Sequence, residues 1–291
     1  MLKIPVFIHT PRSGGTYLTN RIKGFFRLYL NSFFKNNPFI YKDNGDVRFI
    51  IYRNKKLIIK TISVKKNNKT ILNVFCLDRY SQNENEYEDM SLDCFFEKME
   101  ELDIFCIVLE TNFIKKKFNI LKKIGRILCV DFSFWAAIRE PEERLASLFY
   151  YLKSDMSSHE PTHQMFKSEN FEDFIDSSEA SENEGSLLAS EICHPDKISD
   201  DSYENQVIPF LKKINIFKIS NIDYMLKMAF LKRYGIEDDP SIYSDVFDSF
   251  NKSNKNISAD YINRNFNLSI AGENKLKTIT RFDKRIFELA F

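Results

Sequence analysis

The segment Phe7-Ile8-His9-Thr10-Pro11-Arg12-Ser13-Gly14-Gly15-Thr16-Tyr17-Leu18 concentrates residues that can hold an anion. Two adjacent glycines let backbone N–H groups approach a phosphate closely, and a helix starting just after them adds its positive N-terminal end. Arg12 supplies a fixed cation, while Ser13 and Thr16 supply hydroxyl donors. These types in this order suit a phosphorylated ligand, of which a nucleotide is the commonest form.

A second stretch has the same character. In Ala137-Ile138-Arg139-Glu140-Pro141-Glu142-Glu143-Arg144-Leu145-Ala146-Ser147 an apolar run breaks at Arg139 and a helix pattern starts at Pro141. Proline fits the first helical turn because no N–H is needed there, and Glu142 and Glu143 suit the positive helix end. Arg139 therefore stands at the C-terminal end of a strand, the edge at which open α/β sheets bind ligands. Arg139 with the hydroxyl of Ser147 could clamp a second phosphate, the arginine bidentately. Taken alone, Arg139 reads equally well as a helix cap.

The elements that must position these residues follow from periodicity. Residues 2–9 read as a buried first strand, and apolar positions from Leu18 to Phe33 recur at helical spacing, so the glycine loop joins strand to helix. Ile104–Leu109 and the run ending at Ile138 are further buried strands, with a basic amphipathic helix from Phe113 to Ile124 between them. Val207 to Ile219 reads as another strand region, Tyr224–Tyr234 as a helix and Asp283–Ala290 as a final helix. Alternating strands and helices predict an α/β layer fold with a central parallel sheet flanked by helices. Residues 41–80 interrupt the alternation with short β-prone runs around Asn67-Asn68-Lys69. They read as a small antiparallel, Lys-rich insert, either an acceptor-binding surface or a solvated edge. Residues 154–205 are acidic and serine-rich and read as loops with short helices, and the whole as one domain over 1–291.

At 291 residues, 43% hydrophobic and 29% charged, the chain has the composition of a globular protein. A net charge of +1 conceals an asymmetry: residues 1–80 carry 16 Lys/Arg against 3 Asp/Glu, whereas residues 157–206 carry 13 Asp/Glu against 2 Lys. The basic portion suits an anionic ligand or acceptor. Five scattered cysteines without a CxxC pair read as free thiols, not as a zinc or disulfide framework. No run of 18 apolar residues and no signal-peptide pattern occurs, so the expectation is a cytoplasmic protein without a membrane span. No nucleic-acid-binding motif occurs.

Taken together, Pro11-Arg12-Ser13-Gly14-Gly15-Thr16 and Arg139-Glu140-Pro141 followed by Arg144, Ser147, Tyr150 and Tyr151 resemble the sulfotransferases that use 3′-phosphoadenosine 5′-phosphosulfate (PAPS). The carbohydrate 2-O-sulfotransferase branch is the most similar, since its second element also runs Arg-Asp-Pro-x-x-Arg-x-x-Ser before tyrosines. The likeness extends through Phe217–Ser220, Tyr224–Gly235, Asn251–Asn256 and Asp283–Glu288, and leaves out the insert and the acidic stretch. It implies a P-loop-like sulfotransferase fold that moves a sulfuryl group from PAPS to an acceptor hydroxyl, on a carbohydrate that can be anionic, releasing adenosine 3′,5′-bisphosphate without a metal. Arg12, Ser13, Gly14, Gly15, Thr16 and Tyr17 would then hold the 5′-phosphosulfate, and Arg139 and Ser147 the 3′-phosphate. Arg12 would also take up charge developing on the leaving phosphate.

A general base must remove the acceptor proton. Glu110, directly after the strand Ile104–Leu109, is the preferred candidate and departs from the histidine usual in the branch; a cap on the following helix is its other reading. His9 is the second candidate, with a packed strand histidine as the alternative. A nucleotide-dependent phosphotransferase or NTPase fits less well, because the loop lacks GxxxxGK[ST] spacing and only Asp131 could stand in for a Walker-B aspartate. A non-catalytic nucleotide- or glycan-binding module of the same fold is the third reading.

Overall fold

The computed structural model describes residues 3–10, 13, 18–26, 30, 40–43, 46–52, 55–83, 85–110, 112, 114–153, 170–177, 180, 184–194, 197–234 and 268–291. Along the chain, β1 (Lys3–His9) is followed by α1 (residues 18–26), β2 (Ile40–Asp43), β3 (Asp46–Tyr52), β4 (Lys55–Lys66), β5 (Lys69–Asp78) and β6 (Tyr87–Ser91). Then come α2 (Leu92–Lys98), β7 (Leu102–Glu110), α3 (Ile114–Leu128), β8 (Asp131–Ile138), α4 (Pro141–Lys153), α5 (Phe171–Asp176) and α6 (Leu187–Cys193). A helical stretch from Asp200 to Leu211, π-helical at Tyr203–Val207, leads to β9 (Ile214–Lys218), α7 (Ile222–Tyr234) and α8 (Ile270–Glu288).

The chain divides into two compact units. One comprises Met1–His9, Thr16–Ala136 and Ile222–Val246; the other comprises Thr10–Gly15, Ala137–Asn221 and Phe247–Phe291.

The first unit holds a sheet in the order β2-β3-β4-β5-β7-β1-β8, with β6 alongside β4. β1 and β7 are parallel, pairing Val6 with Ile107 and His9 with Glu110. The sheet as a whole is mixed, which corrects the expectation of a parallel sheet carrying a small insert. β4 and β5 form a long hairpin that turns at Asn67 (φ 52°) and Asn68 (φ 59°), left-handed conformations that asparagine tolerates. β5 then pairs antiparallel with β7, from Asn73–Val108 to Asp78–Leu102, so these strands belong to the central sheet. β3 and β6 share the other edge of β4.

Both faces of this sheet are covered, which is why β1 and β7 read as continuous apolar runs. On one side Ile4, Val6, Ile62, Val74, Ile104, Ile107 and Leu109 pack with Phe95, Leu121 and Ile124 of α2 and α3. On the other, Phe230 of α7 meets Phe7 at 5.6 Å, Phe25 at 5.3 Å and Phe105 at 4.8 Å between ring centroids. Three of the basic residues expected to make a basic surface here are committed to carboxylates. Lys60 is buried and bonds to Ser81 Oγ at 2.6 Å, with Asp78 and Glu88 as ion-pair partners. Lys65 pairs with Asp89 at 2.7 Å, and Arg79 pairs with Asp103.

In the second unit, Leu145, Phe149 and Leu152 of α4 pack with Phe171, Phe174 and Ile175 of α5 and Leu276 of α8. α8 begins at Ile270, much earlier than its sequence pattern indicates, because Ser269 caps it by accepting from Gly272 N–H. The short helices α5 and α6 agree with the reading of the acidic stretch; residues 154–169 lie outside the described ones, as do 251–256.

Candidate functional site

Thr10 directly follows β1, and its carbonyl accepts from Ser13 N–H at 3.0 Å, closing a turn. Both residues are buried, at 2% and 3% exposure. Neither Thr10 Oγ1 nor Ser13 Oγ has a hydrogen-bond partner among the described residues. Leaving a buried hydroxyl unpaired costs about 1–3 kcal/mol, so two of them side by side in one turn call for an explanation.

The explanation offered by their surroundings is a cleft. Thr10, Ser13, Ile138, Arg139, Arg144, Leu188, Asp283 and Ile286 line a small pocket that is partly open to solvent. Every lining residue belongs to the second unit. The glycine-loop segment and the Arg139 segment, more than a hundred residues apart in sequence, thus meet at one cleft.

The charged residues of the second motif divide into those engaged in internal ion pairs and Arg139, whose guanidinium is only partly engaged among the described residues. Glu140 accepts from Lys284 Nζ at 2.5 Å, a bond that also holds the Lys284 ammonium above its usual pKa. Arg144, 2% exposed, donates from Nη1 to Glu184 Oε2 at 2.9 Å and from Nη2 to the Glu184 carbonyl; its Nε has no partner among the described residues. Among the described residues Arg139 makes a single side-chain bond, Nε to Glu143 Oε2 at 3.3 Å. Its two Nη nitrogens have no partner among the described residues, and they carry the geometry for a bidentate oxyanion contact.

Asp283 lines the same cleft and would repel an anion if fully charged. Its Oδ1 accepts from Ala189 N–H at 2.9 Å and its Oδ2 from Leu188 N–H at 3.1 Å. The carboxylate therefore caps α6, whose own N-cap Ser186 makes no side-chain cap bond. Ser186 Oγ instead donates to Ile279 carbonyl at 2.7 Å. Gly185 is needed beside it, since a Cβ there would fall 2.5 Å from the same carbonyl oxygen. Burial pushes the Asp283 carboxyl above its usual pKa, while Arg144 and the two backbone donors oppose the shift. Those donors and Arg144 offset its charge within the protein.

Of the residues expected at the site, Ser13 and Arg139 line the cleft, and Ser147 is half-buried on α4 without lining it. Arg12, Gly14, Gly15, Thr16 and Tyr17 lie outside the described residues. His9 and Glu110 end β1 and β7 in register as a parallel pair, at the same edge of the first unit's sheet. The Glu110 side chain is not described, and His9 is half-buried.

Sequence reasoning missed Thr10, Arg144 and Asp283 as cleft residues. Asp283 was detectable in principle. With Leu276, Thr280 and Ile286 it falls on the buried stripe of α8, where a carboxylate is out of place unless it has a structural or binding task.

Among the described residues no group of three or more His, Cys, Asp or Glu is arranged to hold a metal ion, and no helix is long and apolar enough to cross a membrane. No family model matches the chain, and neither curated proteins nor solved structures give a significant match.

Proposed function

We propose that this chain is a PAPS-dependent sulfotransferase acting on an acceptor hydroxyl, in keeping with the resemblance of its two motifs to that family. One observation carries the reading: the buried hydroxyls of Thr10 and Ser13, without a partner among the described residues, lie in the same cleft as Arg139. Such a donor set is costly when empty and is satisfied by phosphate oxygens. A donor with a 5′-phosphosulfate and a 3′-phosphate needs the loop and the arginine together.

In this reading Ser13 and the rest of the loop bind the 5′ end, and Arg139 holds the 3′-phosphate and fixes the register of the donor. The acceptor oxygen attacks sulfur in line. The new O–S bond forms as the bond from sulfur to the 5′-phosphate oxygen breaks. The acceptor proton passes to the Glu110 carboxylate, and the electron pair leaves with adenosine 3′,5′-bisphosphate, whose charge Arg12 offsets. Glu110 and His9 are the candidate bases because both end strands at one sheet edge.

The test is calorimetric titration with adenosine 3′,5′-bisphosphate and, separately, with ATP and Mg²⁺. The bisphosphate should bind in the micromolar range, and R139A should weaken it at least tenfold, the equivalent of about 1.4 kcal/mol. Binding of ATP–Mg²⁺ alone would replace this reading with that of a phosphotransferase or NTPase.

A further inference from the structure

Arg139 is flanked by two carboxylates that do different work. Glu140, the next residue, accepts from Lys284 Nζ at 2.5 Å and so ties the start of α4 to α8. Glu143, one turn further on, accepts from Arg139 Nε through Oε2 at 3.3 Å. The Arg139 side chain is 9% exposed, whereas that of Glu143 is 46% exposed. Both residues belong to the second unit.

As a stabilising contact the Arg139–Glu143 pair is weak, because its carboxylate is half in water and an ion pair at that spacing contributes little there. Glu143 also holds the third position of α4, from which a glutamate commonly reaches back to the N–H of the N-cap residue. Here its Oε2 lies on Arg139 Nε. Nor does an anion cleft gain from the charge, since a carboxylate beside Arg139 lowers the positive potential that draws an anion in. What the contact offers is orientation. A guanidinium presents two kinds of edge for bidentate contact, one made by Nε with an Nη and one made by both Nη nitrogens. With Nε held by Glu143, the Nη edge is the one left, and it has no partner among the described residues.

We propose that Glu143 is a positioning residue of the cleft: by taking Nε it fixes the plane of the Arg139 guanidinium and presents the Nη edge to phosphate oxygens. The inference rests on the reading of the cleft as a phosphate site given above. Glu143 touches no ligand in it and acts through Arg139 alone. Without Glu143, the rotatable bonds of Arg139 are ordered only when the ligand arrives, and affinity drops by the cost of that ordering. With Glu143 in place, part of that ordering precedes binding. Glu142 shares the charge of Glu143 and its place in the first turn, but not its bond to Arg139, and has no such role.

Calorimetric titration of the full chain with adenosine 3′,5′-bisphosphate tests this. E143A should weaken binding roughly three- to tenfold. E143Q keeps an acceptor oxygen for Nε while removing the charge, and should bind within about twofold of wild type or more tightly. E142A removes a carboxylate from the same turn and should not weaken binding. These directions separate orientation from charge, since loss of a carboxylate acting by charge alone strengthens anion binding in all three variants. In an R139A background, E143A should change affinity by less than about twofold, because no guanidinium is left to orient. A purely structural role for Glu143 would weaken binding equally in both backgrounds. Three outcomes overturn the inference: E143A binding as tightly as wild type, E142A or E143Q weakening binding as much as E143A, or an equal loss from E143A with and without Arg139. Weak binding by R139A beside unchanged binding by E143A leaves the reading of the cleft standing and removes Glu143 from it. Absence of binding by wild type removes both.

Discussion

Arg144 grips Glu184 twice, through the carboxylate at 2.9 Å and through the backbone carbonyl, and the same guanidinium offsets the buried charge of Asp283. One side chain on α4 therefore holds the segment before α6 and balances a carboxylate on α8. Removing one partner of a buried charge network leaves the others uncompensated, at a cost of about 3 kcal/mol or more. R144A should lower unfolding stability by about 3 kcal/mol, read from urea denaturation with an unchanged m-value. A loss under about 1 kcal/mol would mean that Glu184 and Asp283 are stabilised by other groups.

Asp283 gives the second unit a pH dependence of defined sign. Burial raises its carboxyl above the ordinary value, so the folded protein binds this proton more tightly than the unfolded chain does. The group therefore contributes stability that is fully present below its unfolded pKa and is lost as pH rises through the folded one. D283N removes that dependence. Measured as wild type minus D283N, relative stability should decline from about pH 4 towards neutrality. A difference that stays flat, or that grows with pH, would show that the two backbone N–H bonds and Arg144 outweigh desolvation.

Thr10 and Ser13 separate stability from binding. Their buried hydroxyls lack partners among the described residues, so T10V and S13A remove polar groups that are costly in the unliganded protein. The double variant should unfold at the same urea concentration as wild type or a higher one. Its affinity for adenosine 3′,5′-bisphosphate should nevertheless fall about tenfold or more, the value of a hydrogen bond to a charged oxygen. Destabilisation by over about 2 kcal/mol would reveal an internal partner and remove the hydroxyls from the anion site.

Legibility in the sequence follows the range of the interactions concerned. The β1–loop–α1 and β8–α4 junctions were readable because period, Pro141 and the first-turn glutamates are all local signals. The hairpin of β4 and β5 was readable from its β-branched runs and its Asn-Asn turn. Its place in the central sheet was not, since the pairing of Asn73 with Val108 depends on which edge of β7 is left open. The same holds for Asp283, whose bonds to Leu188 and Ala189 span 95 and 94 residues. Pairwise contacts at that separation leave no periodic trace. Arg139 stood out at the end of a strand, whereas the engagement of Arg144 by Glu184 spans 40 residues and had no local signal.

The parallel register of His9 with Glu110 provides the last prediction. Paired at the ends of β1 and β7, the two residues share one sheet edge of the first unit, and either is a candidate base for the proposed reaction. A carboxylate base loses its function when made an amide, while a residue that only caps the next helix keeps an acceptor oxygen. E110Q should therefore abolish sulfuryl transfer from PAPS and leave affinity for adenosine 3′,5′-bisphosphate within about twofold, the scatter expected when no contact is lost. H9N should retain transfer at a measurable rate. If H9N is the inactive variant and E110Q turns over normally, the base is His9.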